Sequence, residues 1–232
     1  MQALQRISII IPVLNEAGRI GPLVEFLRQH GAGFLEEVLV VDGGSRDATV
    51  QQASTAGARV VLCPVSSRAA QMNLGARSAR APILYFIHAD TLPPASYATD
   101  IQSALANGYD MGCYRYRFDS PRRLLKINAY FNRFSWLWCQ GGDKTFFIRQ
   151  EIFAALGGYD EYYTIMEEYD FLRRAMQKYR LITLPKYALV SARKYELNSW
   201  LRVQLANTLV FHLFKWKVAP PHLKRVYKTM VR

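Results

Sequence analysis

Runs of consecutive apolar residues alternate with stretches of helical spacing through the first half of the chain. ISIIIPV (7–13), EVLVVD (37–42), ARVVLC (58–63) and PILYFIH (82–88) are rich in β-branched residues and show no polar alternation. Between them lie GPLVEFLRQHG (21–31), DATVQQASTAG (47–57) and RAAQMNLGARSAR (68–80), where apolar positions recur every three or four residues. The first two of these end at glycine, a common helix stop. Strands that are apolar throughout are strands covered on both faces. The pattern therefore predicts a parallel sheet flanked by helices, with right-handed crossovers.

The second half is less regular. DMGCYRYRF (110–118) alternates like an edge or antiparallel strand, and LLKINAYFNRFSWLW (124–138) reads as one helix. KTFFIR (144–149) predicts another strand and IMEEYDFLRRAMQKY (165–179) a helix. LITLP and ALVSARKYE suggest two short strands. A mostly apolar helix over 198–217 is stopped by Pro220 and Pro221, and a short basic helix follows. No internal repeat and no low-complexity linker interrupts the chain.

Composition narrows the picture. The 232 residues are half hydrophobic, enough for one substantial α/β core. The formal charge of +12 points to an anionic partner: nucleic acid, a phosphorylated small molecule or an acidic membrane surface. The plainer reading is a basic, soluble surface. Cys63, Cys113 and Cys139 are far apart, without CxxC or zinc spacing, and fit buried thiols in a reducing compartment. The apolar run at 7–14 is short, holds Pro12 and leads into Asn15-Glu16, so a first core strand is expected there, not a signal peptide. No uncharged apolar run reaches the roughly 18 residues of a membrane span. The expected setting is the cytoplasm.

The polar groups collect at strand exits. Asn15-Glu16 follows the first strand, Asp42-Gly43-Gly44-Ser45-Arg46-Asp47 the second, and His88-Ala89-Asp90 the fourth. In an open α/β sheet ligands bind beyond the carboxyl ends of the strands. A single acid there is usually a turn or helix cap, as Asp47 or Asp90 alone would be. Acids gathered on one edge repel one another unless a cation sits among them. A hard divalent metal, with water and phosphate oxygens completing its shell, would supply that charge. The glycines at 43–44 would let the backbone approach a ring or ribose closely. GxGxxG is absent after the first strand, which disfavours a dinucleotide enzyme, and no GxxxxGK[ST] is present.

IIPVLNE, VVDGGSRDAT, Arg68 with the QMNLGA helix (71–76), LYFIHADTLPP, Gly141-Gly142-Asp143 and IMEEYDFLRR together resemble the family 2 glycosyltransferases of GT-A fold, over roughly 7–196. The resemblance is to small stand-alone bacterial members. It implies a Rossmann-like nucleotide-binding α/β fold with a mixed, mainly parallel sheet. The implied catalytic domain is 1–197, with a nucleotide-binding half (1–110) and an acceptor half (111–197). Basic amphipathic C-terminal helices (198–232) follow it.

Site roles follow from the same resemblance. Pro12, Asn15 and Glu16 would line the nucleotide pocket, with Glu16 near the ribose. Asp42 would accept a hydrogen bond from the base, uracil by expectation, flanked by Gly44 and Ser45. Arg68 would face the base or diphosphate, and Asn73 would shape the pocket. His88-Ala89-Asp90 occupies the place of the family's DxD metal motif, with His88 in place of the first acid. Asp90 is the expected ligand of Mn2+ or Mg2+, and imidazole can also bind manganese. The alternative for His88 is a hydrogen-bonded histidine at a strand end. Asp143 would contact the donor sugar or the acceptor. Arg193 or Lys194 would fold over the diphosphate.

Glu167-Glu168 matches the family's acidic pair at the start of a helix. The second position is its usual general base, so Glu168 is expected in that role, with Glu167 or Asp170 as alternatives. On a helix 167, 170 and 171 share a face while 168 points about 100° away, so only one of the adjacent glutamates reaches the pocket easily. An acidic first turn also suits the helix dipole. The implied reaction moves a sugar from a nucleotide diphosphate sugar to a hydroxyl by inverting single displacement.

Further expectations concern partners and alternative functions. The C-terminal helices would pack on the catalytic domain or form a homodimer, or would lie in an anionic membrane interface with Trp216 and Lys217 at headgroup depth. A lipid-linked or membrane acceptor suits the second case. Trp136 and Trp138 would pack in a helix or stack on a sugar. The alternatives to glycosyl transfer are a nucleotidyltransferase on a similar sheet and a non-catalytic basic module for polyanions or membranes. Nucleic acid is disfavoured, because no strand interleaves aromatic and basic residues as an RNA platform does.

Overall fold

The apolar runs become neighbours in a single sheet. In the computed structural model, which describes residues 5–134, 136–140 and 144–231, strands β1 (Ile7–Val13), β2 (Leu35–Asp42), β3 (Arg59–Leu62) and β4 (Ile83–Phe86) are all parallel. The crossovers are helices α1 (Ile20–Gln29), α2 (Thr49–Thr55) and α3 (Arg68–Ser78). Alternate residues of β1 serve two cores. Ile7, Ile9 and Ile11 pack with Leu23, Val24 and Leu27 of α1, while Ile10 packs with Ala69, Met72 and Ala76 of α3. Each such side chain contributes about 1.5–3 kcal/mol on burial, and two covered faces leave no place for polar alternation.

Strands β5 (Thr91–Leu92), β6 (Met111–Phe118), β7 (Phe146–Arg149) and β8 (Leu181–Val190) extend the sheet. The order is β3-β2-β1-β4-β7-β6-β8-β5. β7 runs antiparallel to β4 and β6, and β5 antiparallel to β8, while β6 and β8 are parallel. The sheet is therefore mixed and mainly parallel, with helices on its faces.

Several elements differ from the sequence expectation. β6 is antiparallel to β7, one of the two expectations, but it is an interior strand with β7 and β8 on its two sides, not an edge. β8 is one strand where two were expected. Its register against β6 jumps from Tyr114↔Leu184 to Arg115↔Tyr187, so Pro185 and Lys186 form a bulge. A proline is tolerated there because no ladder bond needs its missing N–H. The residues that follow turn into helix α8 (Arg193–Leu197) instead of extending the strand. The helix expected over 124–138 stops early as α5 (Leu125–Phe131), and a 3-10 turn follows at Leu137–Cys139. Apolar aromatics past Phe131 extended the helical pattern without extending the helix. Helices α4 (Tyr97–Ala106) and α6 (Gln150–Ala155) had no counterpart in the sequence reading.

Helix α7 (Glu167–Ala175) carries the acidic pair. Beyond α8 come α9 (Trp200–Lys215) and α10 (Pro220–Met230), whose two prolines open α10 at positions that need no N–H partner. α9 buries Val203, Ala206, Val210 and Phe214. Val210, Phe214 and Leu223 form a core with Tyr163, Ile165 and Met166, which lead into α7, and with Tyr169 of α7 itself. The C-terminal helices thus brace the acidic helix. No helix among the described residues is long and apolar enough to cross a membrane.

Candidate active site

The loops beyond β1 and β2 are stitched together by side chains. Asn15 has a left-handed backbone (φ 56°) and donates its N–H to Ser45 Oγ at 2.8 Å, while its Oδ1 accepts from Arg46 N at 2.8 Å. Glu16 N donates to Thr49 Oγ1 at 2.8 Å, and Gly18 N to Gln52 Oε1 at 2.6 Å. The buried Asp42 carboxylate accepts from Gly44 N and Ser45 N, both at 3.0 Å, which holds Gly44 in its left-handed turn at φ 98°. Beneath both strands, Gln71 Nε2 donates to Val13 O at 2.8 Å and Val41 O at 2.7 Å. A Cβ at Gly43 would meet the Gln71 side chain at 3.1 Å. The site wall is rigid because its backbone donors are satisfied before any ligand arrives. Thr49, Gln52 and Gln71 were not assigned roles from sequence. For Gln71 the signal was a polar residue, like Asn73 two positions on, within the mostly small and apolar buried run of α3.

Beyond β4, His88 meets the acidic helix. His88 Nε2 lies 3.3 Å from Glu168 Oε1, and both side chains remain slightly open to solvent. Arg68, at the start of α3, places Nη1 3.8 Å from Glu167 Oε1. Met166, the residue before α7, adopts a left-handed backbone at φ 71°, a strained conformation for a side chain of this size. It turns the chain so that the two glutamates enter the helix at the sheet edge. Glu167 is buried, and burial raises its carboxyl above the usual range against the opposing pull of Arg68. The buried Tyr159 phenol is pushed up as well, first by burial and then by the charges of Glu168 and Glu167. A cavity of about 20 Å³, the size of one water, adjoins Glu168 between Thr145, Tyr159 and Leu172.

The segment after β8 closes the other side. Ser191 N donates to Asp90 O at 3.0 Å, and Arg193 Nη2 lies 3.3 Å from Glu16 Oε1. Residues 191–193 therefore link the exits of β1 and β4. Asp90 Oδ1 has one weak contact, with Thr91 Oγ1 at 3.4 Å. Glu16, Asp42, His88, Asp90 and Glu168 thus belong to one edge. Pro12 lies just inside β1 opposite Val41, and Ala89 is buried between His88 and Asp90.

Other expected site residues are committed elsewhere. The Asn73 amide donates to Tyr159 O at 2.8 Å and Glu161 Oε1 at 2.9 Å and accepts from Tyr159 N at 2.9 Å, so it clamps α3 to the loop before α7. Asp170 accepts from Arg173 at 2.8 Å and Arg174 at 2.9 Å, and Arg174 continues to Gly158 O at 2.8 Å. This buried carboxylate is structural, because both of its oxygens are occupied by guanidinium groups. Lys194 turns to the rings of Tyr195 (5.5 Å) and Phe118 (5.8 Å), leaving Arg193 as the arm that reaches the strand exits. Asp143, with Gly141 and Gly142, lies outside the described residues.

Among the described residues no group of three or more His, Cys, Asp or Glu is placed to hold a metal ion. Asp90 and His88, the two expected ligands, both lie just beyond β4. Two protein donors fit a hard cation that keeps water and takes phosphate oxygens from a nucleotide.

An acid-edged nucleotide-type sheet facing an acidic helix defines the class, and comparison with known proteins gives the family. The Glycosyl transferase family 2 profile matches residues 8–162, and the chain belongs to that family. The glycosyltransferase AglJ of Haloferax volcanii is 32% identical over 130 residues, which is 55% of this chain and 42% of AglJ. The chain spans well under two thirds of the curated relatives it first matches. The mannosyltransferase PcManGT of Pyrobaculum calidifontis, solved with GDP-Man and Mn2+, superposes with a TM-score of 0.69 at 21% identity, covering 98% of this chain and 69% of that one. Glucosyl-3-phosphoglycerate synthase of Mycobacterium tuberculosis, solved with Mn2+, UDP and glucosyl-3-phosphoglycerate, gives 0.60 at 20% identity over 90% of this chain and 80% of that one. The fold is that of the GT-A glycosyltransferases.

Proposed function

We propose that the protein transfers a sugar from a uridine diphosphate sugar to an acceptor hydroxyl, inverting the anomeric centre in one displacement, with Glu168 as general base. The observation that carries this reading is the approach of His88 to Glu168 at 3.3 Å, which joins the β4 exit to the acidic helix. Glu168 is more open than Glu167, and Asp170 is occupied by two arginines. Glu168 would take the proton from the attacking hydroxyl, a role worth about 10²–10⁴ in rate. His88, on its Nε2 side, would hold the Glu168 carboxylate in place.

The nucleotide would lie across the stitched loops, with Asn15, Glu16, Gly44 and Ser45 at its base and ribose and Asp42 supporting the turn beneath. Arg193 would exchange Glu16 for diphosphate oxygens, and Arg68 would stand on the other flank. Asp90, with His88, would hold a divalent cation, Mn2+ or Mg2+, which would neutralise charge on the leaving diphosphate. The three cysteines, all free and buried, suit a reducing compartment, and the proposed setting is the cytoplasm. A lipid-linked acceptor is proposed from the basic C-terminal helices and the exposed Leu201, Leu205 and Leu209.

Thermal shift with UDP, GDP and ADP, each with and without Mn2+, tests the reading. UDP should stabilise selectively and more so with Mn2+; at 100 times Kd the gain is about 2.7 kcal/mol. Absence of stabilisation by any of the three at millimolar concentration removes the proposal.

A further inference from the structure

Between β6 and β7 the chain leaves the sheet and builds an exposed aromatic surface. Ile127, Tyr130, Trp136 and Trp138 are exposed, Trp136 by 55%. The aromatic rings of this segment meet one another. Phe134 stacks on Trp136 at 4.7 Å and 11°, Trp136 on Trp138 at 5.8 Å and 27°, and Phe131 lies 5.7 Å from Trp138. The Arg133 guanidinium covers Tyr130 at 4.2 Å.

The display is fastened from below. The buried Lys144 donates to Asn132 O at 2.8 Å and Gln140 Oε1 at 3.0 Å. Gln140 Nε2 donates to Phe134 O at 2.9 Å, and Asn132 Nδ2 to Tyr116 O at 2.6 Å. Burial lowers the lysine below its usual range, the mark of a charge kept at some cost. The network fastens residues 131–134 and 136–140 beneath the exposed Phe131, Trp136 and Trp138.

The charge along this stretch is mostly positive. Residues 120–142 contain Arg122, Arg123, Lys126 and Arg133 and no Asp or Glu, and no acid follows Glu196 to the end of the chain. The two basic regions touch: Trp200 Nε1, in the first turn of α9, donates to Asn128 Oδ1 of α5 at 2.8 Å. From that junction α9 carries exposed Leu201, Leu205 and Leu209 at four-residue spacing.

We propose that the aromatic surface of residues 124–138, rimmed by Arg122, Arg123, Lys126 and Arg133, docks the protein on an anionic lipid bilayer, with Trp136 and Trp138 at headgroup depth. Tryptophan and tyrosine prefer that boundary, and unopposed basic residues are drawn to anionic headgroups. A predominantly basic rim is complementary to a lipid surface of opposite charge. It is a poor match for a second copy of the same face, which would set like charges together.

Flotation of the full chain with phosphatidylglycerol/phosphatidylcholine vesicles, against phosphatidylcholine alone, tests this. The wild type should float with the anionic vesicles only, and binding should fall with added salt. Trp136→Ser/Trp138→Ser should lose at least about tenfold in partitioning, and so should the exposed charge variant Arg123→Glu/Lys126→Glu. The charge variant keeps the test valid if the tryptophan variant fails to fold. Failure of the wild type to float, or equal flotation of a folded variant, overturns the proposal. So does a wild-type dimer that the charge variant dissociates while flotation is unchanged, since the surface would then bind a second copy.

Discussion

His88 Nε2 stands 3.3 Å from Glu168 Oε1, so a strand exit in one half of the chain holds a helix acid from the other. A hydrogen bond to a charged group is worth about 1.5–3 kcal/mol. If His88 holds the proposed base, His88→Ala should lower kcat by roughly 10- to 100-fold. UDP affinity without added metal should change by less than about threefold. Steady-state kinetics and calorimetry check the split, and an unchanged kcat removes His88 from the transfer step.

Arg193 and Glu16 form a half-exposed pair at 3.3 Å, worth little to stability. Arg193→Ala should leave the unfolding midpoint nearly unchanged. If Arg193 exchanges Glu16 for diphosphate, UDP affinity should fall about tenfold or more while uridine affinity stays the same. Titration calorimetry with both ligands reads the difference.

Asp170 is expected to matter for folding. Asp170→Asn breaks a buried carboxylate's bonds to Arg173 and Arg174 and loosens the tie to the turn at 156–158. Complete loss of a buried pair costs about 3–5 kcal/mol, but both arginines are partly exposed, so about 2–3 kcal/mol is expected. Urea unfolding measures it. Activity per folded molecule should fall far less than in a Glu168 variant.

Glu167 sets a pH dependence of stability. Burial raises its carboxyl in the folded chain, so the native state keeps a proton that the unfolded state has already released. Between the unfolded value, near 4.3, and the raised folded value, stability falls as pH rises, and above it the full cost persists. Glu167→Gln removes that cost. The variant should be at least as stable as the wild type at pH 7–8, and its relative advantage should shrink as pH falls toward 4. Urea midpoints across that range decide the matter; a variant whose relative stability does not vary with pH contradicts the assignment.

The sequence made the β1, β2 and β4 runs and their acidic exits readable, because strands covered on both faces are apolar throughout and ligand-facing loops are polar. The Pro185 bulge hid the continuity of β8, since proline argues against a strand unless the partner register is known. The end of α5 was hidden by aromatics that continue a helical pattern while facing solvent. The 3.3 Å meeting of His88 and Glu168 and the bond from Arg193 to Glu16 depend on residues far apart in the chain, and no local pattern encodes them. Asn73 and Asp170 entered the site through the family resemblance, while the bonds that Asn73 makes to Tyr159 and Glu161 join residues more than 80 positions apart and are written in no local pattern.

The most direct test of the central claim is the rate of sugar transfer by Glu168→Gln, measured with saturating UDP-sugar and acceptor alongside UDP affinity. The proposed role predicts a fall of about 10²–10⁴ in kcat with UDP affinity within about threefold of wild type. Wild-type turnover by that variant would contradict a base at Glu168.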